Sequence, residues 1–160
     1  MEELYKKTLD RLKAELKKQL PEIEANGDWL WHHPEAGFKE TETQKYCLEV
    51  LKNHGFEACT WPDVTGFTCT YDTGRSGPCV MIMGEMDSLI CYSHPDCNPE
   101  TGAAHACGHS IQVATAMGAF ITLTESGVLE NFGGKVMLAG VPAEECLEIE
   151  WRTREIQKGR

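Results

Sequence analysis

Two short apolar runs, separated by a long apolar segment, constrain the fold of this chain more than any other feature. The runs are CVMIMG at 79–84 and GGKVMLAG at 133–140, and the segment at 110–124 reads SIQVATAMGAFITLT. Runs of this length and apolarity are typical of strands that are buried on both faces. The longer segment is apolar on most sides, which predicts a buried helix. Strand, helix and strand in this order predict an α/β sandwich.

The N-terminal third of the chain has a helical pattern. Leucines recur at helical spacing between charged residues, at positions 9, 12, 16 and 20. Pro21 is expected to end this helix and to open a second, shorter helix over 22–32. Thr41 and Gln44 form a capping-box pattern at the start of a further helix, which runs to about residue 53. Gly55 fits the position just past its end.

The remaining segments predict further strands and loops. FEACT at 56–60 and GFTCTYD at 66–72 are predicted strands, and the second alternates apolar and polar residues. The segment from 88 to about 106 is predicted to be a long loop. The tail at 146–160 contains no strand pattern, so the sheet predicted from the whole chain is small. We therefore expect the chain to be the first part of a longer one.

Composition and charge exclude several classes of function. The 160 residues are 41% hydrophobic, which is enough for one core of ordinary domain size. The net charge of −10 disfavours nucleic-acid and anionic-membrane partners, because phosphate groups bind basic surfaces. Neither a membrane-spanning run nor the apolar core of a signal peptide is present, so a cytoplasmic protein is expected. The eight cysteines fall below the density of a disulfide scaffold and are expected to be free thiols.

Reactive side chains are concentrated in three segments that are predicted to lie beyond the carboxyl ends of the strands, where open α/β sheets bind ligands. The segments are GEMDSL after strand 79–84, HACGH before the buried helix, and PAEE after strand 133–140. Their ionisable side chains are Glu85, Asp87, His105, Cys107, His109, Glu144 and Glu145. Groups from distant parts of the sequence thus fall at one end of one sheet, which predicts a binding or reaction centre there.

Cys107 and His109 are candidate metal ligands. A thiolate and an imidazole are preferred ligands of zinc, and both reach one ion if the backbone turns sharply between them. Gly108 permits such a turn. The structural alternative is a buried thiol beside a histidine that is satisfied within the core.

Glu144 and Glu145 are candidates for two different roles. Adjacent side chains point in different directions, so one carboxylate can bind a metal ion while the other acts as the general base toward a water molecule. Hydrolysis of an amide requires this pairing. Asp87 is a candidate for orienting a ligand histidine, with a capping or turn residue as the alternative, and Glu85 is a weaker candidate.

Two other classes of function remain open at this point. A structural zinc knuckle is possible in principle, because six potential ligands crowd into 19 residues: Cys91, His94, Cys97, His105, Cys107 and His109. Their spacing matches no common zinc-finger pattern. An interaction domain without metal is the second alternative, and a thiol–disulfide function is disfavoured because no Cys-x-x-Cys motif is present.

Four ordered motifs, spread over about residues 25–145, resemble one family. HHPEAGFKETETQ, GEMDSL, HACGH followed by a helix, and GKVMLAGVPAEE occur in the order and spacing of the zinc aminoacylase/carboxypeptidase family of metallopeptidases. The branch that is most similar contains amidohydrolases that cleave N-acyl amino acids, indole-acetyl–amino acid conjugates and p-aminobenzoyl-glutamate. The resemblance implies a three-layer α/β sandwich of the zinc-peptidase (phosphorylase/hydrolase-like) type, of which this chain is the N-terminal part.

The resemblance also implies roles for individual residues. Cys107, His109 and Glu145 match the metal ligands of the family. Glu144 matches its general base, and Asp87 matches the acidic residue of the motif after the inner strand, which we group with the catalytic residues. The implied cofactor is Zn²⁺, with Mn²⁺ or Co²⁺ as possible substitutes, at one or two ions per intact site. The implied substrate is a small amide or dipeptide-like molecule, and the implied intact enzyme is a homodimer with a separate dimerisation domain.

The sequence departs from the family pattern at several positions. The common Cys-Gly-His-Asp-x-His continues here with Ser110 and Gln112, and Val141 replaces a common Gln. Family members are much longer and take further His ligands from downstream, whereas no His follows Glu145. We therefore expect residues 1–160 to be the N-terminal portion of the catalytic domain, with little activity on their own.

Overall fold

The computed structural model describes residues 2–147 and 149–159. Its α-helices are α1 (Glu2–His32), α2 (Thr41–Asn53), α3 (His109–Glu125) and α4 (Ile149–Gln157), and a short 3₁₀ helix spans Val128–Asn131. Its strands are β1 (Ala58–Thr60), β2 (Phe67–Asp72), β3 (Cys79–Glu85), β4 (Leu89–Ile90), β5 (Ala103–Ala104) and β6 (Lys135–Val141). Within these two ranges, no helix combines the length and the apolarity that a bilayer span requires.

The main sheet has the spatial order β1–β2–β6–β3. Strands β3 and β6 are parallel and are paired from Cys79 with Lys135 to Glu85 with Val141. Strand β2 is antiparallel to β6, and β1 is antiparallel to β2. Helix α3 is the crossover between the two parallel strands, as the apolar pattern predicts. The α/β class expected from the sequence is therefore confirmed.

The core lies between one face of the main sheet and the helices. Phe67 of β2 and Leu138 of β6 are at most 1% exposed and belong to one cluster with apolar side chains of α1, α2 and α3. Gly84 of β3 permits a close approach of α3, because a Cβ atom there would lie 3.1 Å from the Cα of Val113. This packing fixes the N-terminus of α3 beside the end of β3.

Strand β3 differs from the prediction of a strand buried on both faces. It is an edge strand, with β6 as its only neighbour among the described strands. Val80, Met81 and Met83 are 57%, 54% and 54% exposed. The apolar run correctly predicts a strand, but the burial of a strand depends on the elements that flank it, which its own sequence does not contain.

Pro21 does not end a helix, contrary to the prediction, because α1 continues through it. A proline inside a helix removes one backbone hydrogen bond and crowds the preceding turn, at a cost of about 3 kcal/mol. The buried residues Gln19, Asn26 and Leu30 lie on both sides of Pro21, and α1 packs along α3. Tertiary packing thus holds a continuous helix where the local preference predicts a break.

The start of α2 also differs from the predicted capping box. The N-cap residue is Glu40, without a side-chain cap hydrogen bond. The carboxylate of Glu35 instead accepts a hydrogen bond from the backbone N–H of Thr43 at 2.8 Å. The side chain of Gln44 accepts one from the backbone N–H of Gly66 at 2.6 Å. The side chain that caps α2 is therefore that of Glu35, which lies outside the predicted motif, and Gln44 binds a distant backbone group instead.

The segment predicted to be a long loop contains a second, small sheet. Strands β4 and β5 pair antiparallel within it, with Leu89 opposite Ala104. Strand β1 begins at Ala58, two residues later than the predicted start at residue 56. Gly55 has a φ of 79° just past α2, as predicted for a residue in that position. In the tail, the described residues form α4 and no strand.

Candidate metal centre

The carboxyl ends of β3 and β6 meet the N-terminus of α3 at one edge of the main sheet. Glu85 is the last residue of β3, His109 is the first residue of α3, and Glu144 and Glu145 follow β6. One ligand atom from each of Cys107, His109 and Glu145 lies within 4.8 Å of the others, and we call these residues the cysteine triad. The same holds for Glu85, His109 and Glu144, the carboxylate triad. The predicted convergence of distant segments is therefore present.

His109 is 5% exposed and is fixed by a hydrogen bond to the backbone. Its Nδ1 lies 2.9 Å from the carbonyl oxygen of Asp87. A carbonyl oxygen is only an acceptor, so Nδ1 carries the proton and donates it. In the neutral imidazole, Nε2 is then the nitrogen that carries the lone pair, as a metal-binding imidazole requires.

Three carboxylates surround this free nitrogen. Oε2 of Glu85 lies 3.2 Å from Nε2 of His109, Oε2 of Glu144 lies 3.7 Å away, and Oε1 of Glu145 lies 3.8 Å away. Lone pairs that face one another in a buried place repel, unless a proton or a metal ion lies among them. Two ligands bound to one tetrahedral zinc ion lie about 3.3–3.6 Å apart, for bond lengths of about 2.0–2.2 Å. The observed spacing therefore fits a cation beside Nε2.

Cys107 and Glu145 complete the cysteine triad. A hydrogen bond to Glu145 and the charge of that carboxylate raise the pKa of the exposed Cys107 thiol. Oε1 of Glu145 is buried and has no hydrogen-bond partner among the described residues. A divalent cation would satisfy this oxygen and would favour the thiolate form of Cys107. The donor chemistry of the triad thus fits zinc.

Asp87 connects the two halves of the site. It is 1% exposed, and its Oδ2 accepts a hydrogen bond from the backbone N–H of Glu145 at 2.9 Å. Its backbone carbonyl orients His109, as described above. Asp87 therefore holds both a histidine and a glutamate of the cysteine triad in place, although it belongs to neither triad.

The loop that carries Glu144 and Glu145 is held by residues that the sequence analysis did not select. Oε1 of Glu40, which is fully buried, accepts a hydrogen bond from the backbone N–H of Ala143 at 2.9 Å. Arg152 of α4 donates a hydrogen bond to the carbonyl oxygen of Ala143. Glu40 lies inside the motif HHPEAGFKETETQ, which is a sequence signal, whereas Arg152 has none.

His105 lies outside both triads. It is 4% exposed, and neither ring nitrogen has a hydrogen-bond partner within the described part of the chain. Burial lowers the pKa of His105 to about 4, and a protonated His109 would lower it further by charge repulsion. The imidazole is therefore neutral at physiological pH.

The residues of the alternative zinc knuckle do not converge in the described structure. Cys91 lies 3.4 Å from the hydroxyl of Ser93, and the Cys97 thiol donates to the carbonyl oxygen of Tyr92. Across residues 2–147 and 149–159, the groups of three or more potential ligand atoms that lie close together are the two triads, and neither contains Cys91, His94 or Cys97.

Comparisons with known proteins give a consistent set of relatives. No family model matches the sequence. Hippurate hydrolase of Campylobacter jejuni is 30% identical over 121 residues, which are 74% of this chain and 30% of that protein. N-acetyl-L-cysteine deacetylase of Bacillus subtilis is 29% identical over 134 residues, which are 82% of this chain and 31% of that protein.

A solved structure agrees with these relatives. The Bacillus subtilis YXEP protein, described as a dinuclear metal binding peptidase from the M20 family, superimposes with a TM-score of 0.68 at 27% identity. The match covers 83% of this chain and 36% of that structure. The chain spans about a third of the length of the curated relatives that it matches.

Proposed function

Because the chain belongs to the M20 peptidase family, we propose that it carries part of the active site of a metal-dependent amidohydrolase. Cys107, His109 and Glu145 are the proposed ligands of the metal ion. Glu144 is the proposed general base, and Asp87 positions His109 and Glu145. The observation that carries this proposal is the free Nε2 of buried His109, which faces three carboxylates and no hydrogen-bond donor at hydrogen-bonding distance among the described residues.

The two neighbouring glutamates differ in a way that supports their separate roles. The side chain of Glu145 is 16% exposed and is tethered through its backbone to Asp87. The side chain of Glu144 is 51% exposed, so a substrate can reach it. This difference supports Glu145 as the fixed ligand and Glu144 as the group that exchanges protons.

The proposed reaction is the addition of water to an amide carbonyl. Cys107, His109 and Glu145 would hold a divalent cation, which would supply Lewis acidity toward the carbonyl and the attacking water. Glu144 accepts the proton of that water as the new C–O bond forms. Glu144 then delivers the proton to the leaving nitrogen as the C–N bond breaks. The products are a carboxylic acid and an amine.

The proposed metal and substrate follow from the donor set and the relatives. A thiolate with an imidazole and a carboxylate favours Zn²⁺, for which Mn²⁺ or Co²⁺ can substitute. The proposed substrate is an N-acyl amino acid or a similar small amide, in line with the names of the deacetylase and hydrolase relatives. All eight cysteines are free thiols, which supports our proposal of a cytoplasmic location.

We further propose that residues 1–160 are the N-terminal portion of a longer catalytic domain, which in the intact enzyme is joined to a dimerisation domain. The exposed edge strand β3, with Met81 and Met83 more than half exposed, supports this proposal, because apolar sheet edges are normally covered. The chain alone is expected to have little activity. Chelator-sensitive hydrolysis of an N-acyl amino acid by the purified chain would contradict this expectation.

The metal content of the purified chain tests the site. Plasma mass spectrometry of the wild type is compared with Glu145→Ala and with Cys91→Ala as a matched control. We expect Glu145→Ala to lose the metal and Cys91→Ala to retain it. Glu144→Gln should also retain it, because Glu144 acts as a base. Loss of metal in Cys91→Ala, together with unchanged metal content in Glu145→Ala, would favour the structural knuckle and refute the proposal.

A further inference from the structure

A cavity of about 420 Å³ lies between α4 and the loop 61–66, which joins β1 to β2. Its volume is in the range of pockets that hold small ligands, and we call it the α4 pocket. The apolar side chains that line it are Pro62, Val64, Trp151 and Ile156. None of the described residues that line it belongs to the cysteine triad or to the carboxylate triad. Its chemistry is therefore separate from that of the metal centre.

Aromatic packing holds the α4 wall of this pocket in place. The ring of Trp151 stacks on that of Phe38, with the two centroids 4.1 Å apart. The guanidinium carbon of Arg152 lies 5.0 Å from the centroid of the same Phe38 ring. Ile156, in contrast, is 71% exposed. An apolar ligand group in the pocket would therefore contact a fixed indole ring and would remove part of the Ile156 side chain from water.

Arg152 brings a positive charge to the pocket. Its guanidinium donates a hydrogen bond to the carbonyl oxygen of Ala143, which is a neutral acceptor. Its Nε is buried without a hydrogen-bond partner among the described residues, so the protein satisfies this guanidinium incompletely. A guanidinium has five N–H donors, and their planar arrangement matches a carboxylate. Arg152 is therefore suited to bind the carboxylate of a ligand.

Two carboxylates, those of Asp63 and Glu155, also line the pocket. Each interacts with another group of the protein, as Glu155 does with Nζ of Lys158 at 2.5 Å. A carboxylate offers about four lone-pair positions, so it can accept a further hydrogen bond from an ammonium group. Arg152 and Glu155 are three residues apart on α4 and are thus neighbours on its surface. A ligand with both charges close together can bind both kinds of side chain, whereas a simple anion would face two carboxylates.

We propose that the α4 pocket binds a free α-amino acid with a large apolar side chain. The carboxylate of the ligand binds Arg152, and its ammonium group binds Asp63 or Glu155. Its side chain packs against Trp151 and Ile156. An α-amino acid is also the amine that the proposed reaction releases. The link between the pocket and that reaction rests on the proposed function, whereas the binding itself does not.

Calorimetric titration of the purified chain with L-phenylalanine tests this inference. We expect binding with and without EDTA, because no residue of the triads takes part, and failure of the proposed function would leave this binding unchanged. Phenylacetate lacks the ammonium group and phenethylamine lacks the carboxylate. Each should bind about tenfold more weakly or worse, since each loses hydrogen bonds between charged groups. Absence of binding at millimolar L-phenylalanine, loss of binding in EDTA, or equal binding of either analogue would overturn the inference.

Two variants with matched controls assign the binding to the pocket. Arg152→Met should weaken L-phenylalanine binding by about tenfold or more, whereas the same substitution at the exposed Arg154 should leave it unchanged. Ile156→Ser should weaken it by about threefold or more. Ile149→Ser should not, since Ile149 is 67% exposed on the same helix but does not line the pocket.

Circular dichroism of each variant checks its folding. The side chain of Ile156 is mostly exposed, so Ile156→Ser is expected to fold and to decide the question even if Arg152→Met does not fold. Unchanged L-phenylalanine binding in either folded variant would overturn the assignment to the α4 pocket.

Discussion

Glu40 provides the sharpest test of how the loop beside the metal centre is held. Its side chain is fully buried, and it accepts hydrogen bonds from the backbone N–H of Ala143 and from the hydroxyl of Thr65. Burial nevertheless outweighs these bonds and raises the pKa of Glu40. The carboxylate therefore stabilises the loop by its shape and hydrogen bonds, while its charge is unfavourable.

Two substitutions separate the hydrogen bonds of Glu40 from its charge. Glu40→Ala leaves the Ala143 N–H and the Thr65 hydroxyl without an acceptor, at about 1–3 kcal/mol each, so about 2–6 kcal/mol should be lost from the free energy of unfolding. Glu40→Gln keeps an oxygen for Ala143, and its amide can donate to the Thr65 oxygen. At pH 7 we expect the free energy of unfolding of this variant to fall by less than about 1 kcal/mol, because the substitution also removes the buried charge.

Urea denaturation of the three proteins at several pH values measures these differences. A pKa that is raised in the folded state means that the folded protein binds more protons than the unfolded chain. The stabilising contribution of protonated Glu40 is present below the ordinary value of 4.5 and is lost as the pH rises through the raised pKa. As the pH rises through this range, the free energy of unfolding of the wild type should therefore fall relative to that of Glu40→Gln. Two results would refute the reasoning. One is an equal loss of free energy of unfolding in Glu40→Ala and Glu40→Gln at pH 7. The other is a difference between wild type and Glu40→Gln that does not vary with pH.

Three further predictions concern the helices. His54 bridges Glu125 at 2.6 Å and Glu22 at 3.0 Å; burial alone lowers its pKa, but these bonds raise it above 6.5. His54→Gln should therefore lower the free energy of unfolding by about 1–2 kcal/mol near pH 6. This loss should become smaller as the pH rises through the raised pKa of His54, and urea denaturation at pH 6 and pH 9 measures it. Pro21→Ala should raise the free energy of unfolding by about 1–3 kcal/mol, and an unchanged urea midpoint would contradict the packing argument for α1. Gly84→Ala should lower it by about 1–3 kcal/mol because the new methyl group presses on α3, and an unchanged melting temperature would show that the helix yields freely.

The alternation of apolar segments was sufficient to predict the centre of the fold. The runs at 79–84 and 133–140 are β3 and β6, and the segment between them is α3. The placement of Cys107, His109 and the two glutamates at one edge follows, because the ends of parallel strands meet there. The chemical roles of these side chains remain proposals, and the metal content of the variants tests which side chains bind the ion.

Other features could not be predicted, because they depend on contacts between distant segments. The sequence near Pro21 predicts a break, and only the packing of α1 on α3 keeps the helix continuous. The amide of Gln112 is directed by its contact with Glu85, 27 residues away along the chain. Glu40 and Ala143 are 103 residues apart and meet only in the folded protein.

The sequence by itself determined the two parallel strands and the helix between them, and which reactive side chains follow them, since hydrophobic periodicity is a local property. Tertiary structure alone decided the exposure of β3, the lone pair of His109 and the orientation of Glu85. Burial, tautomer and hydrogen-bond direction depend on the atoms that surround a group, and those atoms are supplied by other parts of the chain.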